Sequence, residues 1–177
     1  IIGSSCAGKT TTAFSIIARL RKAGVHAEGV LSSDRVYNFD SSKLDYLDAA
    51  QCYVILQQAF LECRNEVRDD IDVIVCDRSS LDFFAYYRHF FPSPDNAYYS
   101  ALEQFSLNWI KTYDAIFYLP PITWVDDGKR PASEIRDAVD ATIQSLILQC
   151  EYPIHNLSHI SDINDREDFI YKTILET

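Results

Sequence analysis

Residues 3–10 read Gly3-Ser4-Ser5-Cys6-Ala7-Gly8-Lys9-Thr10, which fills every specified position of the spacing G-x-x-x-x-G-K-[ST]. Glycines at both ends let the backbone curl until successive N–H groups face an anion. Lys9 then adds a mobile positive charge suited to β- and γ-phosphates, and the Thr10 hydroxyl is a hard oxygen donor of the kind Mg²⁺ takes. The helix that starts here, through Thr11, contributes further positive potential at its N-terminus. The combination points to a nucleoside triphosphate. A chance match on a Gly/Ser-rich turn is the alternative. Apolar residues before the motif and an amphipathic period after it weigh against chance. Cys6 inside the loop reads as a small tolerated side chain rather than as a redox thiol.

Three further segments carry candidate chemistry. Asp77-Arg78-Ser79 ends the apolar run 71–76. A carboxylate there can hold a metal or take a proton from a hydroxyl, and Arg78 can fork onto a phosphate or orient an acceptor. The same segment also starts a helix, because Ser79 and Asp82 have the spacing of a capping box. Asp126-Asp127-Gly128-Lys129-Arg130 is a charged loop ahead of an amphipathic helix. It reads either as a basic lid, with Lys129, Arg130 and Arg136 over phosphates and Arg130 foremost, or as a solvated turn. Ser32-Ser33-Asp34-Arg35 follows a short apolar run, at the sheet edge where ligands bind in open α/β folds. Asp34 can accept from a sugar or base and Arg35 can hold phosphate; a plain loop is the other reading. The aromatic group Phe83, Phe84, Tyr86, Tyr87, Phe90 and Phe91 is denser than packing needs, so Tyr86 or Tyr87 is expected beside an acceptor base. The four histidines share no metal-ligand spacing.

The elements that must carry these residues follow from periodicity. Ile1-Ile2 reads as the end of a strand whose start lies before Ile1, in a chain without any Met. Ala13, Ile16, Ile17 and Leu20 share a helical face, with Gly24 as its stop. Strands are expected at 25–31, 71–76, 115–119 and 152–157, with 115–119 stopped by Pro120-Pro121. Helices are expected at 46–67, 81–91, 97–111 and 166–175, with one more on the period Ile135, Ala138, Val139, Ile143, Leu146, Ile147. Loops are expected at 32–45, 92–96 and 126–131. Five strands alternating with helices predict a three-layer α/β/α fold with a mainly parallel sheet.

A length of 177 residues predicts one domain, 1–177, without the extra helical domain expected of a ring-forming ATPase. An excess of 26 acidic over 16 basic residues gives a net charge of −10, which disfavours duplex DNA and anionic membranes. No apolar run reaches the ~20 residues of a membrane span. Five cysteines without C-x-x-C spacing argue against disulfides and zinc, and point to a reducing compartment, the cytoplasm. No N-K-x-D guanine signature and no LSGGQ-like segment occur, which removes GTPases and transporter ATPases.

The loop GSSCAGKT, the stretch DRSSLDFFAY at 77–86, YDAIFYLPP at 113–121 and DGKR at 127–130 together resemble the P-loop nucleoside and nucleotide kinase group. Within it they are similar to small AAA-type ATPases like the nicotinamide riboside kinase domain, and to phage deoxynucleotide kinases. The resemblance implies ATP held by residues 3–11, Mg²⁺ served by Thr10 and Asp77, and an acceptor faced by Asp77 and Arg78. It further implies Arg130 as a lid arginine and adenine packed by residues 161–166. Many relatives carry an E-x-x-R segment where Ser32-Ser33-Asp34-Arg35 stands here, which leaves the acceptor open. The expected activity is ATP- and Mg-dependent phosphoryl transfer to a nucleoside or deoxynucleoside monophosphate. The alternatives are a kinase acting on a modified base in DNA, through a channel of Arg35, Arg78 and Arg88, and a non-enzymatic nucleotide switch.

Overall fold

The computed structural model describes residues 1–31, 44–92, 97–122 and 132–177. Asp34, Arg35, Lys129 and Arg130 lie outside the described residues, as do most of the loops expected at 32–45, 92–96 and 126–131. In chain order the elements are α1 (Lys9–Lys22), β1 (Ala27–Val30), α2 (Leu44–Glu66), β2 (Val73–Cys76), α3 (Ser80–Phe90) and α4 (Ala97–Trp109). A 3₁₀ turn (Ile110–Thr112), β3 (Phe117–Tyr118), α5 (Ser133–Gln149), β4 (His155–Asn156) and α6 (Ile163–Glu176) complete them.

All described strand pairs are parallel. β1 lies beside β2 with Ala27 opposite Val73 and Val30 opposite Cys76. β3 lies beside β4, Phe117 opposite His155. The N-terminal residues join the two pairs. Ile1 N donates to the Cys76 carbonyl at 2.8 Å, and Arg78 N donates to the Ile1 carbonyl at 3.0 Å. On the other side Ile2 N donates to the Phe117 carbonyl and Leu119 N to the Ile2 carbonyl, both at 2.9 Å. The order across the sheet is therefore β1, β2, Ile1–Ile2, β3, β4.

The five strands expected from sequence appear among the described residues as four short strands and a bridge from Ile2 to Tyr118. Their ends are trimmed for local reasons. Val25 is absorbed into the cap of α1, where Gly24 N donates to the Arg21 carbonyl and Val25 N to the Leu20 carbonyl. Pro120, Pro121 and Pro153 have no N–H to give a ladder. The last helix starts at Ile163 rather than near Arg166, because Asp162 accepts from the N–H groups of Asn164 and Asp165.

Side chains alternate across the sheet, as strand geometry requires. Phe117, Leu119, Val75 and Ala27 pack against Ala13, Ile16, Leu20 and Ile170 of α1 and α6. Ile2 and Tyr118 face the opposite layer, where Ile55, Phe84, Tyr87, Leu102, Val139 and Ile143 bring α2, α3, α4 and α5 together. The result is the expected three-layer α/β/α arrangement, with residues 3–8 leaving the sheet at the carboxyl ends of its strands.

Gly3 and Gly24 both have positive φ, 144° and 86°. They differ in surroundings: a Cβ on Gly3 would overlap the Leu119 carbonyl oxygen, whereas nothing lies within 4 Å of one on Gly24. Gly24→Ala should cost only the left-handed backbone penalty, about 1 kcal/mol. Gly3→Ala adds the overlap and should cost about 3 kcal/mol or more, lowering Tm by roughly 6–12 °C for a chain of this size. Thermal denaturation of the two variants checks the ordering; equal losses would refute the steric argument.

Candidate active site

The loop between Ile2 and α1 needs two unusual backbone conformations besides Gly3. Gly8 stands at φ 81° as the N-cap of α1 and Cys6 at φ 61°. Glycine takes such angles freely, while Cys6 is held there by its surroundings, including a 2.9 Å bond from Ile122 N to its carbonyl. α1 carries no acidic residue of its own in its first turn. Lys9 is buried and its Nζ donates to the Ser4 carbonyl at 2.6 Å, folding the ammonium over the loop. Ser4 Oγ, Ser5 Oγ and Thr12 Oγ1 are buried without a partner among the described residues. Unsatisfied buried hydroxyls are rare, and a set of them around one loop suits a polar ligand.

Asp77 is the residue after β2. Its N–H bonds the Val30 carbonyl at 2.9 Å, and Thr10 Oγ donates to its Oδ2 at 2.6 Å. The side chain is buried and Oδ1 has no partner among the described residues. A hydroxyl and a carboxylate with a spare oxygen form a hard donor pair. That pair fits Mg²⁺, which prefers one or two carboxylates together with phosphate and water oxygens. Arg78 turns the chain out of the sheet with φ 82°, a strained angle for a non-glycine residue. The strain is held from both sides, by Arg78 N on the Ile1 carbonyl and by Gln58 Nε2 on the Arg78 carbonyl at 3.3 Å. The guanidinium lies 5.4 Å from the Tyr86 ring centroid and 5.6 Å from that of Phe83, in cation–π range.

α3 opens with the capping box read from Ser79 and Asp82: Ser79 Oγ accepts from Leu81 N, and Asp82 Oδ2 accepts from Ser79 N at 2.9 Å. Two contacts have no counterpart in the sequence reading. Asp82 Oδ1 accepts from Gly3 N at 2.7 Å, and the Tyr86 hydroxyl accepts from Ser5 N at 3.2 Å. Tyr86 thus stands between the loop and Arg78. Tyr87, the other aromatic expected near an acceptor, is a core residue packed against Phe84, Phe91 and Tyr99.

Arg136 is on α5, paired with Asp137 at 2.7 Å, and its Nη1 reaches the Ile122 carbonyl beside the loop. Arg88 faces Glu103 of α4 at 3.8 Å. Residues 163–166, read as part of an adenine-packing loop, form the first turn of α6, and Arg166 is buried with its Nε on the Ile160 carbonyl. None of the five cysteines is joined in a disulfide. Burial beside Glu62 pushes the Cys76 thiol well up, so it stays protonated. Among the described residues no helix is long and apolar enough to cross a membrane.

Sequence reasoning also missed the polar cluster under Arg78. Glu62 is buried on α2 and accepts from Gln58 Nε2 at 2.7 Å, Trp109 Nε1 at 2.6 Å and the Tyr113 hydroxyl at 2.9 Å. Burial and this carboxylate hold the Tyr113 hydroxyl well above its ordinary value. Only the Gln58–Glu62 spacing of four was legible beforehand; the other two partners are 47 and 51 residues away.

Two solved structures share this architecture. A deoxyadenosine kinase from M. mycoides, solved with the products dCMP and a flexible dCDP, superposes with a TM-score of 0.66 at 14% identity over 99% of this chain and 97% of that one. The same enzyme with bound dATP gives 0.59 at 15% identity over 98% and 96%. At such identity the likeness establishes the fold. No curated protein matches this chain in sequence. The family model AAA_28, described as an AAA domain, matches residues 1–166, and the chain belongs to that family.

Proposed function

We propose that this protein is a P-loop kinase that transfers the γ-phosphoryl group of ATP, with Mg²⁺, to a nucleoside or deoxynucleoside monophosphate. The observation that carries the reading is the 2.6 Å bond from Thr10 Oγ to Asp77 Oδ2, which joins the phosphate loop to a buried carboxylate next to Arg78. An arginine held at φ 82° against two aromatic rings beside that carboxylate favours transfer chemistry over a nucleotide switch. The shared fold with a deoxyadenosine kinase supports the same class.

In this reading residues 3–11 would hold the triphosphate, with Lys9 neutralising charge that builds on the β–γ bridge. Thr10 and Asp77 would hold Mg²⁺, which when bound supplies charge neutralisation on the phosphate oxygens. Asp77 Oδ1 has no partner among the described residues, so the carboxylate is available either to hold the metal through water or to take the proton of an acceptor hydroxyl. The acceptor oxygen bonds the γ-phosphorus as the bond to the ADP oxygen breaks; a nucleoside hydroxyl would pass its proton to the carboxylate, whereas the ionised phosphate oxygen of a monophosphate has none to pass. Arg78 and Tyr86 would hold the acceptor, the first through phosphate or hydroxyl oxygens and the second through its ring. Asp34 and Arg35 are assigned to the acceptor and Arg130 to a closing lid on sequence grounds.

Lys9→Ala should abolish transfer while leaving the circular dichroism spectrum and Tm near the parent values; near-normal turnover would refute the loop assignment. Asp77→Asn should lower kcat by about 10²-fold or more with a much smaller change in KM for ATP, as loss of a proton acceptor and metal donor predicts. A loss of Tm without loss of kcat would leave Asp77 a purely structural residue.

The acceptor is found by measuring ADP release from Mg-ATP with ribo- and deoxynucleosides, their monophosphates, nicotinamide riboside, and single- and double-stranded DNA. Stimulation by nucleosides or monophosphates is expected. Stimulation by DNA alone would favour the base-directed reading. Tight ATP binding with no stimulation by any of them would favour the switch.

A further inference from the structure

We infer that Asp82 and Tyr86 of α3 are positioning residues, which set the shape of the phosphate loop and tie it to the acceptor-side residue Arg78. The inference rests on residues 3–11 being a nucleotide-phosphate loop, and deepens that reading.

Three donors converge on the Asp82 carboxylate: Gly3 N at 2.7 Å on Oδ1, and Ser79 N at 2.9 Å and Ser79 Oγ at 2.8 Å on Oδ2. Asp82 is fully buried. A carboxylate offers acceptors only, at both oxygens, so it satisfies all three, whereas an asparagine of the same shape would turn an NH₂ towards one of them. Its charge is balanced by those donors and by the N-terminus of α3, where it occupies the third position. An ordinary capping box uses one carboxylate oxygen locally; here the second is committed 79 residues away.

Asp82 and Tyr86 are four residues apart on α3, one turn, or about 6 Å along the axis. Gly3 and Ser5 are two apart where the chain leaves the sheet and turns. One face of α3 therefore meets alternate N–H groups of the loop entry. Those two N–H groups are occupied by protein acceptors, so within residues 3–11 the N–H groups of Gly3 and Ser5 anchor the loop's entry rather than face the phosphates.

The same carboxylate reaches the other substrate side. Asp82 Oδ2 fixes Ser79, the residue after Arg78, while the Tyr86 ring lies under the Arg78 guanidinium. A shift of the loop entry is therefore felt at Arg78 through two independent side chains. A loop that must be reordered on binding lowers apparent affinity by the fraction of molecules already competent.

The test uses the whole chain and Mg-ADP as the probe. Calorimetry gives Kd for the parent, Asp82→Asn and Tyr86→Phe, and ¹⁵N spectra report the amides of Gly3, Ser5 and Ser79. Asp82→Asn should weaken Mg-ADP by about tenfold or more and move the Gly3 and Ser79 amides together. Tyr86→Phe, which keeps the ring, should move the Ser5 amide and weaken binding by about three- to tenfold. If Asp82→Asn fails to fold, Tyr86→Phe decides. Unchanged Kd in folded variants, or a Gly3 amide that does not respond to Asp82→Asn, would overturn the inference. A parent protein that does not bind Mg-ADP would instead overturn the phosphate-loop reading, and the tether's role with it.

Discussion

The site depends on a short parallel ladder in which Ile1 and Ile2 hydrogen-bond to neighbours on both sides. Ile1 is bonded on one side to Cys76 and Arg78, and Ile2 on the other to Phe117 and Leu119. Each bond contributes only about 1 kcal/mol net. Their geometric effect is larger. They bring the start of the phosphate loop next to the residue after β2 and under the residue after β3, so Gly3, Asp77 and Leu119 emerge at one edge. Gly3 has no room for a Cβ because the Leu119 carbonyl already occupies that space.

Around that edge the protein buries polar groups that would be costly elsewhere. Asp77, Asp82, Lys9, Ser4 and Ser5 are all nearly or fully removed from water. Burying charge is tolerated when donors and acceptors are counted out, and Asp82 is a complete case, with three donors on two oxygens. Asp77 is deliberately incomplete: one oxygen takes Thr10, and the other is unpartnered among the described residues. Low effective dielectric makes both arrangements strong. Full satisfaction fixes a scaffold, and partial satisfaction leaves affinity for a cation or proton.

A second buried network underlies Arg78. Glu62 gathers Trp109, Tyr113 and Gln58, and Gln58 passes on to the Arg78 carbonyl. This network and the Ile1 carbonyl together over-determine a backbone angle that would otherwise relax. Helices α2, α3 and α4 thus contribute to one strained residue although none of them belongs to the phosphate loop. In a chain of net charge −10, Lys9 and Arg78 place two positive charges at this edge of the sheet.

Much of this was legible in the residues themselves. The glycine spacing at 3 and 8, the Lys9-Thr10 pair and the apolar period of α1 are local, and local geometry follows from φ/ψ limits and helical repeat. The alternation of apolar runs and helical periods identified the α/β layering, and Ser79 with Asp82 identified the start of α3. Strand lengths were overestimated at 25–31 and 152–157, where caps and prolines end the ladders. What the tertiary structure alone decided is which distant groups share a hydrogen bond. Gly3 with Asp82, Ser5 with Tyr86 and Glu62 with Trp109 are separated by 79, 81 and 47 residues. Periodicity and motif spacing describe a residue's own element, and hydrogen bonds form between whichever elements the packed core brings to within 3 Å.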